Sequence, residues 1–216
     1  MNALARCLEE ESNAILSASK KLDNNQVELA LELINRCSDK RGKLIISGVG
    51  KSGIVGRKIA ATFCSIGLIS VYLNPLDALH GDLGIVDQND VCILLSNSGN
   101  TQELLDLIIH LKNRKVDSIC IVGNSKSALA ENCKVILEAG VDKEVCPLNL
   151  APTASTAVAM AIGDAIAAVW MERRKISQND FAFNHPAGSL GKKLTLKVEN
   201  VTVSYTHLTL PTIGCV

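Results

Sequence analysis

Lys43-Leu-Ile-Ile-Ser-Gly-Val-Gly-Lys-Ser-Gly53 is a short apolar run that breaks into glycines, a lysine and a serine immediately before a helical pattern. It reads as a β-strand running into a phosphate cradle. Glycine lets the backbone turn sharply and approach an anion, and the amides at the start of the next helix point at that anion with the positive end of the helix dipole. A similar junction recurs at Val91-Cys-Ile-Leu-Leu-Ser-Asn-Ser-Gly-Asn-Thr-Gln-Glu103, where a strand of fully buried type ends in hydroxyls and a glycine. Two such junctions in one sheet point to one site between them.

On either side of these junctions, strands and helices alternate. Apolar runs predict strands over residues 44–47, 69–73, 91–95, 118–122 and 134–138, with helices over 52–67 and 101–114 and a short one near 127–133. Strands that are apolar on both faces and separated by helices make an α/β fold, a parallel sheet covered on each side. Ligands of such sheets gather at the C-terminal strand ends. Residues 2–22 and 24–39 repeat apolar side chains at helical spacing, as in Leu29, Leu33 and Ile34, and predict an N-terminal helical hairpin. After Pro152, residues 153–174 form a long alanine-rich helix, a buried central helix or a subunit contact, whose Asp164 needs a hydrogen-bonding partner. A turn-rich segment, Asn184-His-Pro-Ala-Gly-Ser-Leu-Gly191, follows, and from Val201 the pattern becomes irregular. The expected division is N-terminal helices over 1–40, the α/β domain over 41–196 and an irregular tail over 197–216.

Composition excludes several functions. The chain has 216 residues, 47% hydrophobic and 20% charged, enough for a packed core, and its formal charge of zero with 3% aromatic residues argues against nucleic acid as a partner. No uninterrupted apolar run approaches the ~18 residues of a membrane span. The N-terminus, with Arg6, Glu9, Glu10 and Glu11, lacks the apolar core of a signal peptide, so the expectation is a cytoplasmic protein without a membrane partner. Eight cysteines without any CxxC spacing are expected as buried or inert thiols rather than a zinc or disulfide framework.

Gly48-Val-Gly-Lys-Ser-Gly53 formally fits the GxGxxG dinucleotide fingerprint, but the next strand ends in Tyr72-Leu-Asn74 with no acid to hold a ribose. A triphosphate-binding loop would require glycine where Ile45 stands. A smaller phosphate ester remains. In Ser96-Asn-Ser-Gly-Asn-Thr101, hydroxyls and amides can converge on one phosphate; a capping box of Asn100 with Glu103 would account for those two residues and leave Ser96 and Ser98 unexplained.

The two junctions, with Ala78-Leu-His-Gly-Asp-Leu-Gly84, Leu150-Ala-Pro-Thr-Ala-Ser-Thr156 and His185-Pro-Ala-Gly-Ser-Leu-Gly191, occur in an order that resembles the sugar isomerase (SIS) domain family, and within it the D-arabinose 5-phosphate isomerases. The resemblance covers about residues 4–201. It implies a five-stranded parallel sheet sandwiched by helices, a flavodoxin-like three-layer fold. It also implies interconversion of ribulose 5-phosphate and arabinose 5-phosphate through an enediol, for the Kdo sugar of lipopolysaccharide. Carried over residue by residue, it makes Lys51, Glu103, Glu144 and His185 the catalytic set. Ser47, Gly50, Ser52, His80, Ser96, Ser98 and Thr101 become substrate-binding residues. An aldose–ketose isomerase needs a carboxylate or imidazole to move a proton between neighbouring carbons, and an acid or cation to stabilise the enediolate. No cofactor is implied.

Two departures from the resemblance stand out. Family members often carry a histidine associated with an inhibitory divalent metal where this chain has Asn74, a poor zinc ligand, so no metal is expected. Many relatives continue into paired CBS domains; residues 197–201 resemble that entrance and residues 202–216 do not resemble what should follow, which implies a short form or a truncated or non-native tail. The long helix and the family together imply a homotetramer in which His185 completes a neighbour's site. The alternatives are another SIS isomerase acting on a hexulose phosphate and a non-catalytic module that senses a sugar phosphate.

Overall fold

The computed structural model of the chain describes residues 2–188 and 191–193. Five strands, β1 (Leu44–Gly48), β2 (Ser70–Tyr72), β3 (Val91–Ser96), β4 (Asp117–Val122) and β5 (Val135–Glu138), form one sheet in the order β2-β1-β3-β4-β5. All four pairings are parallel. The helices are α1 (Ala3–Lys21), α2 (Asn24–Asp39), α3 (Gly50–Ser65), α4 (Pro75–Leu79), α5 (Gln102–Asn113), α6 (Ala128–Asn132), α7 (Ala154–Arg174) and α8 (Gln178–Phe183). The expected elements are present, with ends shifted by a residue or two. Helix α4 and a 3₁₀ turn at Asp82–Ile85 occupy what reads in sequence as a Gly-Asp loop. Five residues are too few to show a helical period, but Asn74 capping the helix ahead of Pro75 at its first turn is a legible start signal.

The two faces of the sheet separate by strand alternation. Ile46, Ile93, Leu95, Ile119, Ile121, Val135 and Leu137 face a core completed by α2, α3 and α7, while Ile45, Cys92, Leu94, Cys120 and Val122 face α5 and α6. Both N-terminal helices are present, and each finds its main partner elsewhere in the fold: α1 lies along α7, and α2 packs on β5 and α7. The link between them, Leu22 and Asp23, is extended at both residues (ψ 126° and 121°). Cys37, Cys92 and Cys120 are buried, whereas Cys64 is exposed.

By length and composition α7 could cross a membrane, which corrects the expectation that no stretch would. Asp164 and the hydroxyls of its first turn break the apolar run without lowering its mean hydropathy enough. Here it is a packed helix: Val158, Ile162, Gly163, Ile166 and Trp170 are buried against the sheet and α3. A β-carbon on Gly163 would stand 2.4 Å from Ile59 Cδ1, so a glycine is what lets α7 approach α3. Asp164 finds its partner in Lys58 on α3.

Strand order matters most for function. The chain leaves β1 toward β2 on one side, then returns past β1 to β3 on the other, so the topological switch point lies between β1 and β3. Asp90, buried just ahead of β3, accepts hydrogen bonds from the Lys43 amide at 2.8 Å, Lys43 Nζ at 2.6 Å and the Asp87 amide at 2.7 Å, tying together the starts of these two strands. In register, Gly48 stands beside Leu95. Both glycine-rich junctions therefore open at one place.

Candidate active site

β1 passes through Val49 (φ −112°, ψ 146°) into α3 at Gly50, whose φ is +58°. A β-carbon there would meet nothing within 4 Å, so the position calls for glycine by its dihedral and not for want of space. At the second junction Ser96 is buried; its Oγ accepts the Gly99 amide at 3.0 Å and shares a 2.8 Å hydrogen bond with Thr101 Oγ1. Gly99 has φ +67°, and a β-carbon on it would collide with Ser127 Oγ at 1.9 Å. The loop is further held by the Gly123 amide donating to the Asn97 carbonyl at 3.0 Å and the Leu129 amide donating to the Gly99 carbonyl at 2.9 Å.

The capping box of Asn100 and Glu103, the alternative reading of this junction, does not form. Thr101 is the N-cap residue of α5 and makes no side-chain capping bond, its hydroxyl being paired with Ser96, and Asn100 turns its Oδ1 to the Ala128 amide at 3.3 Å. The consequence is visible across the whole chain. Helices α1, α2, α4, α6 and α8 cap their first turns with Asn2, Asp23, Asn74, Ser127 and Ser177, and α7 is capped by Glu144. Among the described α-helices, only α3 and α5 start without a side-chain acceptor, and they are the two that begin at the switch point. Amides left open at a helix N-terminus form an anion site.

A cleft of about 330 Å³ lies there, at the small end of ligand sites. Of the residues expected in the site, Lys51, Ser52, Ser96, Ser98 and Thr101 line it. Ser98 is exposed, and its Oγ accepts the Asn100 amide at 3.2 Å, which leaves its proton to donate. Gly50 makes the turn, and Ser47, fully buried beneath it, has a hydroxyl with no partner among the described residues. Asn97, Ser155 and Thr156 also line the cleft and were not anticipated. The signal for Ser155 and Thr156 was in the sequence, as hydroxyls soon after Pro152 at the start of the longest described helix, and Asn97 lies inside the second junction itself.

The remaining polar residues stand apart from the cleft lining. Glu103, half-buried in the first turn of α5, makes no hydrogen bond among the described residues. Glu144 receives hydrogen bonds from the Thr153 amide at 2.8 Å, Thr153 Oγ1 at 3.1 Å, the Ser155 amide at 3.1 Å and the Ser155 hydroxyl. It thus caps α7 and orients Ser155 into the cleft. His80 is exposed at the C-terminal end of α4, and Asn74 spends its Oδ1 on the Leu76 amide at 2.9 Å. His185 stacks on Phe181 at 4.0 Å, and its Nδ1 lies 2.8 Å from the Phe181 carbonyl oxygen. A carbonyl only accepts, so Nδ1 carries a proton and donates it to Phe181. Asn184 beside it donates to the Ser65 carbonyl at 3.4 Å, at the end of α3 opposite to Lys51. A helix of 16 residues is about 24 Å long, so His185 cannot reach the cleft of its own chain. Among the described residues lining that cleft, Lys51 is the one titratable side chain.

Burial pushes the Glu144 carboxyl up, but the hydrogen bonds from Ser155 and Thr153 outweigh it and hold the group below its ordinary value. A carboxylate with a depressed folded pKa stabilises the fold above its unfolded pKa, and that contribution is lost as pH falls through the folded one. Urea midpoints should therefore drop more steeply below about pH 4.5 in the unmodified chain than in Glu144→Gln, which has no such titration. Parallel acid limbs would mean that the cap is not formed in solution.

Arabinose 5-phosphate isomerase KpsF of Escherichia coli O6:H1 is 46% identical over 201 residues, covering 93% of this chain and 61% of its own length. Arabinose 5-phosphate isomerase KdsD of Francisella tularensis is 44% identical over 191 residues, 88% of this chain and 58% of its own. The chain therefore spans about three fifths of the length of these curated relatives. An Escherichia coli CFT073 protein solved in complex with A5P superposes with a TM-score of 0.74 at 37% identity, covering 86% of this chain and all of that one. The SIS domain family model matches residues 38–169, which run from the end of α2 through both cradle junctions to the buried part of α7, and the chain belongs to the SIS domain family.

Proposed function

We propose that the protein is an aldose–ketose isomerase that interconverts D-arabinose 5-phosphate and D-ribulose 5-phosphate, in the cytoplasm, toward the Kdo sugar of lipopolysaccharide. The observation that carries the reading is the pair of uncapped helix N-termini, α3 and α5, meeting at the switch point beside Ser52, Ser98 and Thr101. Open amides and hydroxyl donors there suit a phosphate dianion, and Lys51 adds the matching charge. Relatives named for arabinose 5-phosphate and the solved neighbour holding A5P support the choice of sugar.

The phosphate anchors carbon 5 and the sugar extends toward the rim. A carboxylate takes the proton from carbon 2 of the aldose, giving an enediolate with its charge on oxygen 1; the hydroxyl proton passes from oxygen 2 to oxygen 1 and the carbon proton returns at carbon 1, so that the carbonyl moves from carbon 1 to carbon 2. Lys51, which lines the cleft, stabilises the negative oxygen of the enediolate in this reading. Of the two candidate acids, Glu144 has its oxygens occupied by four hydrogen bonds, whereas Glu103 makes none among the described residues, so Glu103 is the carbon base and Glu144 positions Ser155. The site is completed by a second copy: His185, on the far side of its own subunit, reaches a neighbour's cleft in a homotetramer.

One observation favours a second reading. A cleft with Lys51 as its one titratable lining residue would serve a non-catalytic module that senses a sugar phosphate. Purified chain given arabinose 5-phosphate is expected to form ribulose 5-phosphate. Tight binding without turnover would establish the sensor, and turnover of a hexulose phosphate alone would move the protein to another isomerase of the family.

A further inference from the structure

The β1–β2 ladder ends one rung short of the cradle. The Leu73 amide donates to the Ile46 carbonyl at 2.9 Å, and beyond it β2 offers no backbone donor, because the chain turns off into Asn74 and α4. The next carbonyl of β1 on that side is Gly48, the last residue before the turn. It is met by a side chain: the Tyr72 hydroxyl donates to the Gly48 oxygen at 2.6 Å. The ring that carries this hydroxyl lies in space that two glycines of α3 leave empty. A β-carbon on Gly53 would stand 2.6 Å from Tyr72 Oη and 2.7 Å from the Gly48 oxygen, and one on Gly56 would stand 3.4 Å from the ring. The Arg57 guanidinium covers the ring at 4.0 Å.

The peptide unit is planar and trans, so the Gly48 C=O and the Val49 N–H point in opposite directions. Holding the carbonyl toward β2 aims that amide at β3, where Gly48 pairs beside Leu95 at the end of the ladder, and sets the plane from which Gly50, Lys51 and Ser52 begin their helix. We propose that Tyr72 is a positioning residue for the phosphate cradle: its hydroxyl supplies the missing rung that fixes the direction in which β1 leaves the sheet. Burial raises the hydroxyl pKa, Asp77 adding to this and Arg57 opposing it, so the group stays a donor through neutral pH.

The inference rests on the proposed isomerase, and the test therefore pairs turnover of arabinose 5-phosphate with calorimetric binding of inorganic phosphate to the same full chain, which needs no turnover. Tyr72→Phe keeps the ring and removes the rung. It should raise KM roughly three- to ten-fold and weaken phosphate binding by a similar factor, while kcat stays within about two-fold and the melting temperature is nearly unchanged. Gly53→Ala, which pushes the hydroxyl off its acceptor from the other side, should weaken phosphate comparably, and adding Tyr72→Phe to it should cost little more. Unchanged phosphate affinity in Tyr72→Phe would overturn the inference. So would a variant that loses its fold, or that loses kcat as much as it gains KM, since the tyrosine would then be structural. A chain that binds phosphate and does not isomerise would end the isomerase reading alone, and the phosphate arm would still decide the role of Tyr72.

Discussion

Glu103→Gln is expected to lower kcat by about 10²- to 10⁴-fold, the usual range for general acid–base catalysis, with little change in KM. The substitution keeps size and shape and removes only the ability to take a proton, and Glu103 has no hydrogen bond among the described residues whose loss could disturb the fold. Glu144→Gln should behave differently. That carboxylate is bound by Thr153 and Ser155, so the change weakens the cap of α7 and shifts Ser155 at the cleft wall. Its cost should fall on stability and KM, with kcat reduced less than ten-fold by this argument. Steady-state kinetics of the two variants check the assignment. Should Glu144→Gln show the larger loss of kcat, the carbon base is Glu144 and the helix cap is a resting arrangement that opens on substrate binding.

The second large effect concerns sites shared between subunits. His185→Ala should lose about 10² or more of the turnover rate, although His185 stacks on Phe181 beside the far end of α3 and touches nothing in its own cleft. If Glu103 of one chain works with His185 of another, mixing the two inactive variants under conditions of subunit exchange restores sites in which both residues are intact. Random exchange of equal amounts gives roughly a quarter of such sites, and activity should recover to that fraction. Light scattering alongside the assay follows assembly. An active monomer, or no recovery after exchange has been demonstrated, would remove His185 from the shared site.

The periodicities of this chain carry most of its secondary structure. Alternating buried strands and amphipathic helices are local patterns: a strand is apolar on both faces because each residue meets a helix, and a helix shows its buried stripe every three or four residues. The glycines and hydroxyls at residues 48–53 and 96–101 are local too, and they were legible as two strand-to-helix turns because turn geometry and helix-start amides are decided within a few residues. One competition left open by local spacing is decided at a distance. Asn100 and Glu103 have the spacing of a capping box, but the Ala128 amide, 28 residues away, takes the Asn100 oxygen instead and leaves α5 open for an anion.

Other features were out of reach of any local reading. That β1 and β3 are neighbours follows from the sheet order, which is set by how five strands share two helical layers and by the buried Asp90 holding Lys43 across 47 residues. Glu144 enters from the sequence only as a catalytic acid implied by resemblance, and only the folding of its loop back onto α7 makes it a cap. The side of the subunit on which His185 lies depends on where α8 docks against the end of α3. Residue spacing determines which groups a segment can offer, because backbone hydrogen bonds and side-chain alternation repeat over short distances. Which of those groups meet is decided by burial of whole faces against one another, and that energy belongs to pairs of elements far apart in the chain.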